Sequence, residues 1–98
     1  LWQFGEDEEA FHHAEEAVRT DERLPQAWYN LGFMERERGR NEEAVNCLEN
    51  ALRLGARFPE LYEEQARALE ELGREEAAEE MREAAEDLRA QVEDELVG

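Results

Sequence analysis

The chain matches itself when it is shifted by 34 residues, and this internal repeat narrows the folds open to it. The segment GEDEEAFHHAEEAV at residues 5–18 then lies over GRNEEAVNCLENAL at residues 39–52. A fixed period of this kind predicts supersecondary units that pack against their neighbours along the chain. Identical residues that keep the spacing are Ala10 with Ala44, Ala17 with Ala51, Pro25 with Pro59, and Gly39 with Gly73.

Within each period the sequence predicts a helix, a short turn and a second helix. Apolar residues of the middle copy recur every three or four positions, which is the spacing of one helix face. Pro25 suits a first helical turn, Asn41 suits an N-cap, and Gly39 and Gly55 suit helix ends. The predicted helices are residues 7–20, capped by Asp7, and residues 25–38, 42–54 and 59–72.

The last segment differs from the others because residues 74–97 contain neither proline nor glycine. We predict one long helix over residues 75–96, with a polar outer face that caps the stack. The EEA motif at residues 75–77 stands one position early relative to residues 42–44, which indicates a one-residue deletion or drift in this copy.

The loops between the predicted helices are short, so neighbouring helices must run antiparallel. The sequence therefore predicts one all-α domain of stacked antiparallel hairpins, forming a short right-handed superhelix with a long C-terminal capping helix. Its parts are a partial repeat at residues 1–24, a full repeat at 25–58, and a degenerate repeat with the capping extension at 59–98.

Gly32 lies inside a predicted helix, where a glycine costs roughly 1 kcal/mol relative to alanine. We interpret it as a point of close approach between the two helices of one hairpin. Gly32 and Ala44 would let the backbones meet, and Trp28 would fill the wider gap beside them.

Charge restricts the class of partner. The chain carries 28 acidic and 11 basic residues, giving a net charge of −17, and every basic residue is arginine. Such a surface disfavours nucleic acid and anionic membranes, which need clustered cations. It suits either solubility alone or a basic partner whose association depends on salt.

Targeting signals are lacking, and no apolar run reaches the ~18 residues that a membrane span needs. These observations favour a cytoplasmic protein. The first residue is Leu1 rather than methionine, which leaves open that the chain is part of a longer protein.

The chain offers little catalytic chemistry. Cys47 is the only cysteine, so neither an intrachain disulfide nor a cysteine-based zinc site is expected. His12 and His13 are adjacent and point about 100° apart on a helix, so they cannot chelate one ion together. Serine is absent, and the glutamate pairs have the spacing of solvated helix faces. We therefore expect no enzyme, no cofactor and no metal site.

The middle copy resembles the tetratricopeptide repeat family, whose 34-residue unit is a helix–turn–helix with a W-x2-L-G core. That core is read here as Trp28, Leu31 and Gly32, and it is followed by Ala44, Leu48 and Ala51. The last copy departs from the pattern, with Gln65 and Ala66 at the leucine and glycine positions.

The resemblance implies a non-enzymatic scaffold that binds a peptide or partner helix in a concave groove lined by the first helix of each repeat. The carboxylate clamp of some family members is disfavoured here because acidic residues stand where cations would be needed. Carried over by position, the groove residues are Gln26, Tyr29, Asn30, Phe33 and Arg36, then Glu60, Glu63, Glu64, Arg67 and Glu70.

The residues alone also indicate a contact surface. Tyr29 and Phe33 lie four positions apart and share a helix face, away from Leu31 and Gly32. Exposed aromatic side chains beside acidic ones predict a protein or peptide partner with apolar and basic residues. The alternative is that these two rings pack between neighbouring repeats, which we consider more applicable to Phe33 than to Tyr29.

Trp2 and Phe4 stand beside a hairpin face that lacks a predicted cover. We interpret them as contacts with an upstream repeat or with a second copy in a homodimer. Two alternative functions therefore stay open: a structural or oligomerisation segment, and a regulatory domain attached to an enzyme outside this chain.

Overall fold

The computed structural model describes the backbone of residues 2–97 and the side chains of residues 7–95. These residues form five helices and no strand, which confirms the all-α prediction. In chain order the helices are α1 (Trp2–Thr20), α2 (Pro25–Glu37), α3 (Asn41–Arg53), α4 (Pro59–Glu71) and α5 (Glu75–Val97). The most extensive packing lies within the hairpins α2/α3 and α4/α5, while α1 packs against α2.

The 34-residue period holds without a break through the helices. Pro25 begins α2 and Pro59 begins α4, and the starts of α3 and α5 have the same spacing. Of our two interpretations of the EEA motif at residues 75–77, the one-residue deletion is therefore wrong, and drift of the motif agrees with the structure. The two glutamates of the EEA motif are exposed, so their positions within the repeat can vary without changing the packing. The buried alanines keep the 34-residue register: Ala44 corresponds to Ala78, and Ala51 to Ala85.

Glycine ends α2, α3 and α4, as predicted. Gly39, Gly55 and Gly73 have φ angles of 80°, 104° and 78°, in the left-handed region that favours glycine. After α2, the Arg40 N–H donates to the Glu35 carbonyl at 2.9 Å, which is the long bond of a Schellman cap. These caps let each helix turn back on its partner within a few residues.

Two predicted helix starts are wrong. Helix α1 begins at Trp2 rather than after Asp7, and Gly5 lies inside it, because a single glycine costs a helix only about 1 kcal/mol. Asn41 is the first residue of α3 rather than its cap. Arg40 occupies the N-cap position without a side-chain hydrogen bond, and the Asn41 Oδ1 is buried without a partner.

The core lies where the hairpins meet, in three adjoining apolar clusters. Trp28 contributes to two of them and is held by its indole N–H, which donates to the Glu22 carbonyl at 2.8 Å. The buried members are Phe11, Ala14, Leu31 and Cys47 in the first, Leu48, Ala51 and Leu61 in the second, and Ala44, Val45, Ala66, Ala68, Leu69 and Ala78 in the third.

Helix α5 presents charged residues on its outward face at the C-terminal end of the stack. In α3, Val45 and Leu52 belong to the clusters that pack against α4. One period later the same positions are Glu79 and Glu86, and both are exposed. The outward face of α5 therefore suits water rather than another helix, as expected of a capping helix.

Candidate protein-binding surface

Tyr29, predicted to be an anchor for a partner, packs instead between the repeats. Its ring meets the ring of Phe58 edge-on, with the centroids 4.9 Å apart. Tyr29 is half-buried against the cluster around Leu48 and Leu61. Burial, followed by the charge of Glu64, raises the pKa of the Tyr29 hydroxyl. The alternative of packing between neighbouring repeats thus describes the Tyr29 ring, although we considered it more applicable to Phe33.

Phe33 has the opposite environment, since 37% of it is exposed. The guanidinium of Arg36 lies 5.5 Å from the centroid of its ring, close enough for a cation–π contact. An exposed phenylalanine on an otherwise well-packed helix is the kind of group that binds a partner. Phe33 is therefore the stronger of the two predicted anchors.

Phe33 also lines a cleft of about 440 Å³ between α1 and α2. The apolar lining consists of Ala10, Phe11, Phe33 and Met34, and the charged lining consists of Asp7, Glu8, Glu37 and Arg38. We call this the α1/α2 cleft. Our sequence reasoning did not identify it, although the period could have indicated it, because Phe11 stands 34 residues before the buried Val45.

Arg38 partly covers the cleft. Its guanidinium stacks 4.0 Å from the Phe11 ring centroid and reaches Glu8 at 3.5 Å. Asp7 makes no ion pair within the part of the chain whose side chains are described, and Glu37 pairs with Arg36 at 3.0 Å. The lining thus carries three acidic groups and one basic group around an apolar floor.

Glu64 does not present its charge to the groove as predicted. It is only 5% exposed, and its carboxylate lies between two arginines. The Arg36 Nε donates to one carboxylate oxygen, and an Arg67 terminal nitrogen donates to the other at 3.0 Å. The triad links α2 to α4, and its two cations more than balance the buried anion.

The other predicted groove glutamates differ in how far they are neutralised. Glu63 pairs with Arg89, whose hydrogen bond lowers the pKa of the Glu63 carboxyl, and Glu70 pairs with Arg82 at 2.6 Å. Glu60 is exposed and makes no ion pair among the described side chains. The acidity predicted for this part of the groove is therefore largely cancelled by arginines from α5.

Two predicted groove residues in the first two turns of α2 bind each other. The Gln26 side-chain amide donates to the Asn30 Oδ1 at 3.2 Å, and both side chains are exposed. They lie at the solvent edge of the predicted groove face of α2, where they are accessible to a partner.

The reactive side chains have unreactive surroundings. Cys47 is buried, and burial followed by the charge of Glu35 raises the pKa of its thiol to about 11. A thiol with so high a pKa carries almost no thiolate at neutral pH. His12 is exposed and contacts Glu15 at 3.3 Å, and the described residues contain no group of three metal-type ligands.

Trp2 and Phe4, predicted as dimer or upstream-repeat contacts, lie outside the described side chains. That prediction therefore remains a prediction.

The comparisons with known proteins agree with this geometry. A family model for the tetratricopeptide repeat matches residues 25–55, which contain α2 and α3. Residues 25–55 therefore form a tetratricopeptide repeat. No match was found among the curated proteins. In the described part of the chain, no helix has the length and apolar character needed to cross a membrane.

Solved structures of MamA are similar to this chain in fold. One superimposes with a TM-score of 0.83 at 18% identity, over 95% of this chain and 54% of that one. MamA AMB-1 gives a TM-score of 0.81 at 23% identity over 98% and 54%, and MamA MSR-1 gives 0.79 at 20% over 92% and 52%. The chain thus spans about half the length of these proteins, and at such identities the likeness concerns the fold alone.

The repeat match supports a protein–protein interaction scaffold as the general function. The fold is typically a non-enzymatic scaffold, and partners of the family are proteins. Which residues bind, and what they bind, belongs to the next section.

Proposed function

We propose that the chain binds a partner polypeptide on the concave face of its A helices, α2 and α4, with Phe33 as the main apolar anchor. The exposure of Phe33 at the mouth of the α1/α2 cleft carries this proposal. A side chain inserted beside Phe33 would contact aromatic and aliphatic groups, and the cleft is large enough to receive one.

The charge around Phe33 supports a partner with lysine or arginine next to its apolar residue. Asp7, Glu8 and Glu37 line the same cleft, and Arg38 is the one cation among its lining residues. The expected basic preference thus comes mainly from Asp7, which makes no ion pair among the described side chains, rather than from Glu63 and Glu64, whose charges are paired.

The triad around the buried Glu64 supports the same proposal in another way. Because Glu64 joins Arg36 of α2 to Arg67 of α4, the two A helices are held in one relative position before a partner arrives. A preorganised surface loses less conformational entropy on binding. We assign Gln26, Asn30, Glu60 and the outer edges of Arg36 and Arg67 to the polar rim of this surface.

A selection experiment tests the proposal without knowledge of the natural partner. Short random peptides displayed on phage are selected against the immobilised chain, and the recovered peptides are titrated against variants. We expect the peptides to combine apolar with basic residues. Phe33→Ala should weaken their binding by about tenfold or more, as truncation of a central anchor does.

Val92→Ala is the matched control, because Val92 is 49% exposed and lies on α5, away from the A-helix face. It should leave the affinity of the selected peptides unchanged. Equal binding of the wild type and Phe33→Ala, with both variants as stable as the wild type in urea, would refute the groove proposal.

A further inference from the structure

Helix α1 presents a face that is covered in both other copies of the repeat. Ala44 and Ala51 of α3 are fully buried, and Ala78 and Ala85 of α5 are 0% and 2% exposed where α4 packs. The corresponding residues of α1, Ala10 and Ala17, are exposed. Among the described residues, α2 is the only helix in contact with α1. It packs beside this face, through Phe11 and through Ala14, which lies between Ala10 and Ala17.

This face continues into the α1/α2 cleft, because Ala10 lines both. A helix placed over α1 as α2 is placed over α3 would therefore also reach Phe33 and Met34, on the far wall of the cleft. The relation repeats the one seen inside the chain, where α4 packs against both α3 and α2. The vacant position thus has two walls, one from each helix.

The two ends of the stack differ in a way that favours an occupant at α1. At the C-terminal end, Glu79 and Glu86 replace the residues that would receive a further helix. At the N-terminal end of the described residues, Ala10 and Ala17 keep the alanines of the other copies, and the exposed His13 between them takes the place of Cys47. Small residues permit close helix approach. Among the described residues, the helix-receiving positions carry glutamate only at the α5 end.

Charge identifies the class of occupant. Asp7, Glu9 and Glu16 border the alanine face of α1, all three are exposed, and Glu8 and Glu37 line the adjoining cleft. The nearest cations are Arg19, 3.7 Å from Glu16, and Arg38, which lies over Phe11. An occupant with lysine or arginine beside its apolar face would complement these borders, whereas a second copy of a chain with net charge −17 would be repelled.

We propose that the partner includes an amphipathic helix with an apolar face and basic flanks. This helix takes the vacant helix-A position over Ala10 and Ala17, with one edge against Phe33. The inference rests on the proposed function, since it names the class of partner, and it adds a binding wall on α1 that lies outside the groove of α2 and α4.

The test uses a synthetic helix with leucine and alanine on one face and lysine on both flanks, titrated against the full chain by fluorescence anisotropy. The decisive variant is Ala10→Glu with Ala17→Glu. It adds two negative charges, which would strengthen a purely electrostatic attraction to the probe. We expect the opposite, a loss of about tenfold or more, because glutamates on this face hold the helices apart.

A charge-matched control is Ala90→Glu with Gln91→Glu, because both residues are exposed on α5, which does not contact α1. We expect its affinity to equal or exceed that of the wild type. A second probe with glutamate instead of lysine on its flanks should bind at least about tenfold more weakly, because it lacks the positive charge. A third probe interrupted by proline should bind at least about tenfold more weakly, because it cannot form the helix.

Several outcomes would overturn the inference. They are equal binding to the alanine-face variant and the wild type, equal binding of the proline probe, and a doubled mass in sedimentation that only the alanine-face variant abolishes. That last result would assign the face to a second copy. If the binding of phage-selected peptides still requires Phe33 while the alanine-face variant binds the helical probe as well as the wild type does, the proposed function is supported. The proposed helix position is then refuted.

Discussion

Gly32 and Leu48 are in contact so close that no other residue fits at position 32 without a shift. A Cβ at Gly32 would lie 2.9 Å from the Leu48 Cγ, 3.0 Å from its Cδ2 and 3.2 Å from the Cys47 Cβ. Leu48 is fully buried among Ala51, Leu61 and the surrounding helices, so it has little room to move. The glycine therefore sets how closely α2 approaches α3.

The first prediction follows from this contact. Gly32→Ala should lower the free energy of unfolding by about 1–3 kcal/mol, because overpacking against Leu48 outweighs the better helix propensity of alanine. Urea unfolding measures the change. In a double-mutant cycle, Leu48→Ala should cost less in the Gly32→Ala background than in the wild type, since the two changes relieve each other.

The next repeat supplies the control for this prediction. Ala66 occupies the position of Gly32 and is 2% exposed, and the counterpart of Leu48 there is Arg82. Ala66→Gly should therefore destabilise the chain by about 1 kcal/mol or more, through helix propensity and the lost methyl group. A stabilising Gly32→Ala, or a neutral Ala66→Gly, would contradict this account of the two positions.

The repeat pattern explains why so much of this fold could be predicted from the sequence. Glycines after α2, α3 and α4 and prolines at the starts of α2 and α4 act locally, so the helices of residues 25–73 were placed to within a residue or two. Gly32 was correctly interpreted as a point of close approach, but Leu48 and Cys47, not Ala44, supply the atoms nearest to it.

The candidate surface was harder to predict because it depends on contacts between distant residues. Glu63 and Arg89 are 26 positions apart, and only the packing of α5 on α4 shows that they pair. Likewise, the spacing of Tyr29 and Phe33 puts both on one helix face, but the ring of Phe58 covers Tyr29 and leaves Phe33 exposed. Periodicity identifies a face but not the side chains that reach it from elsewhere.

The second prediction concerns the triad of Arg36, Glu64 and Arg67. Glu64→Ala should lower the free energy of unfolding by roughly 2–4 kcal/mol, because it leaves Arg36, whose side chain is only 18% exposed, with the exposed Glu37 as its one carboxylate partner among the described side chains. Urea unfolding tests this, with Glu60→Ala as the control on the same helix. The exposed Glu60 should matter by no more than about 0.5 kcal/mol, and equal effects of the two changes would contradict a buried triad.

The third prediction uses Glu35, which is 6% exposed. Burial raises the pKa of its carboxyl, Arg40 opposes the rise from 3.2 Å, and the charges of Glu43 and Glu15 add to it while Arg38 lowers it. Because the pKa of Glu35 is raised in the folded state, its protonated form contributes its full stabilisation below the unfolded-state pKa of ~4.3. This contribution is lost as the pH rises through the folded-state pKa.

Glu35→Gln should therefore stabilise the chain at pH 7 by up to about 1 kcal/mol, since glutamine occupies the site without a charge. The gain should shrink as the pH falls toward ~4, where the wild-type carboxyl is itself protonated. Unfolding in urea across this pH range measures it, with the exposed Glu49→Gln as control. A gain in the free energy of unfolding that stays constant with pH would show that ionisation of Glu35 is not its cause.

The fourth prediction weighs the whole charge against the individual ion pairs. At −17 the chain repels itself, and sodium chloride screens this repulsion with a Debye length of about 10 Å at 0.1 M. Salt also weakens the exposed pairs, such as Arg74 with Glu42 at 2.5 Å, but each of these contributes only about 0–1 kcal/mol. The melting temperature should therefore rise with added salt, by a few degrees, as ~1 kcal/mol gives in a domain of this size.

A variant with fewer surplus charges tests the cause. Glu83→Gln, Glu86→Gln, Glu93→Gln and Asp94→Asn change exposed residues that make no ion pair among the described side chains, and reduce the net charge from −17 to −13. If self-repulsion dominates, this variant should melt at a higher temperature in low salt and respond less to added salt. A wild-type melting temperature that is flat or falls with salt would mean that the arginine–carboxylate pairs outweigh the repulsion.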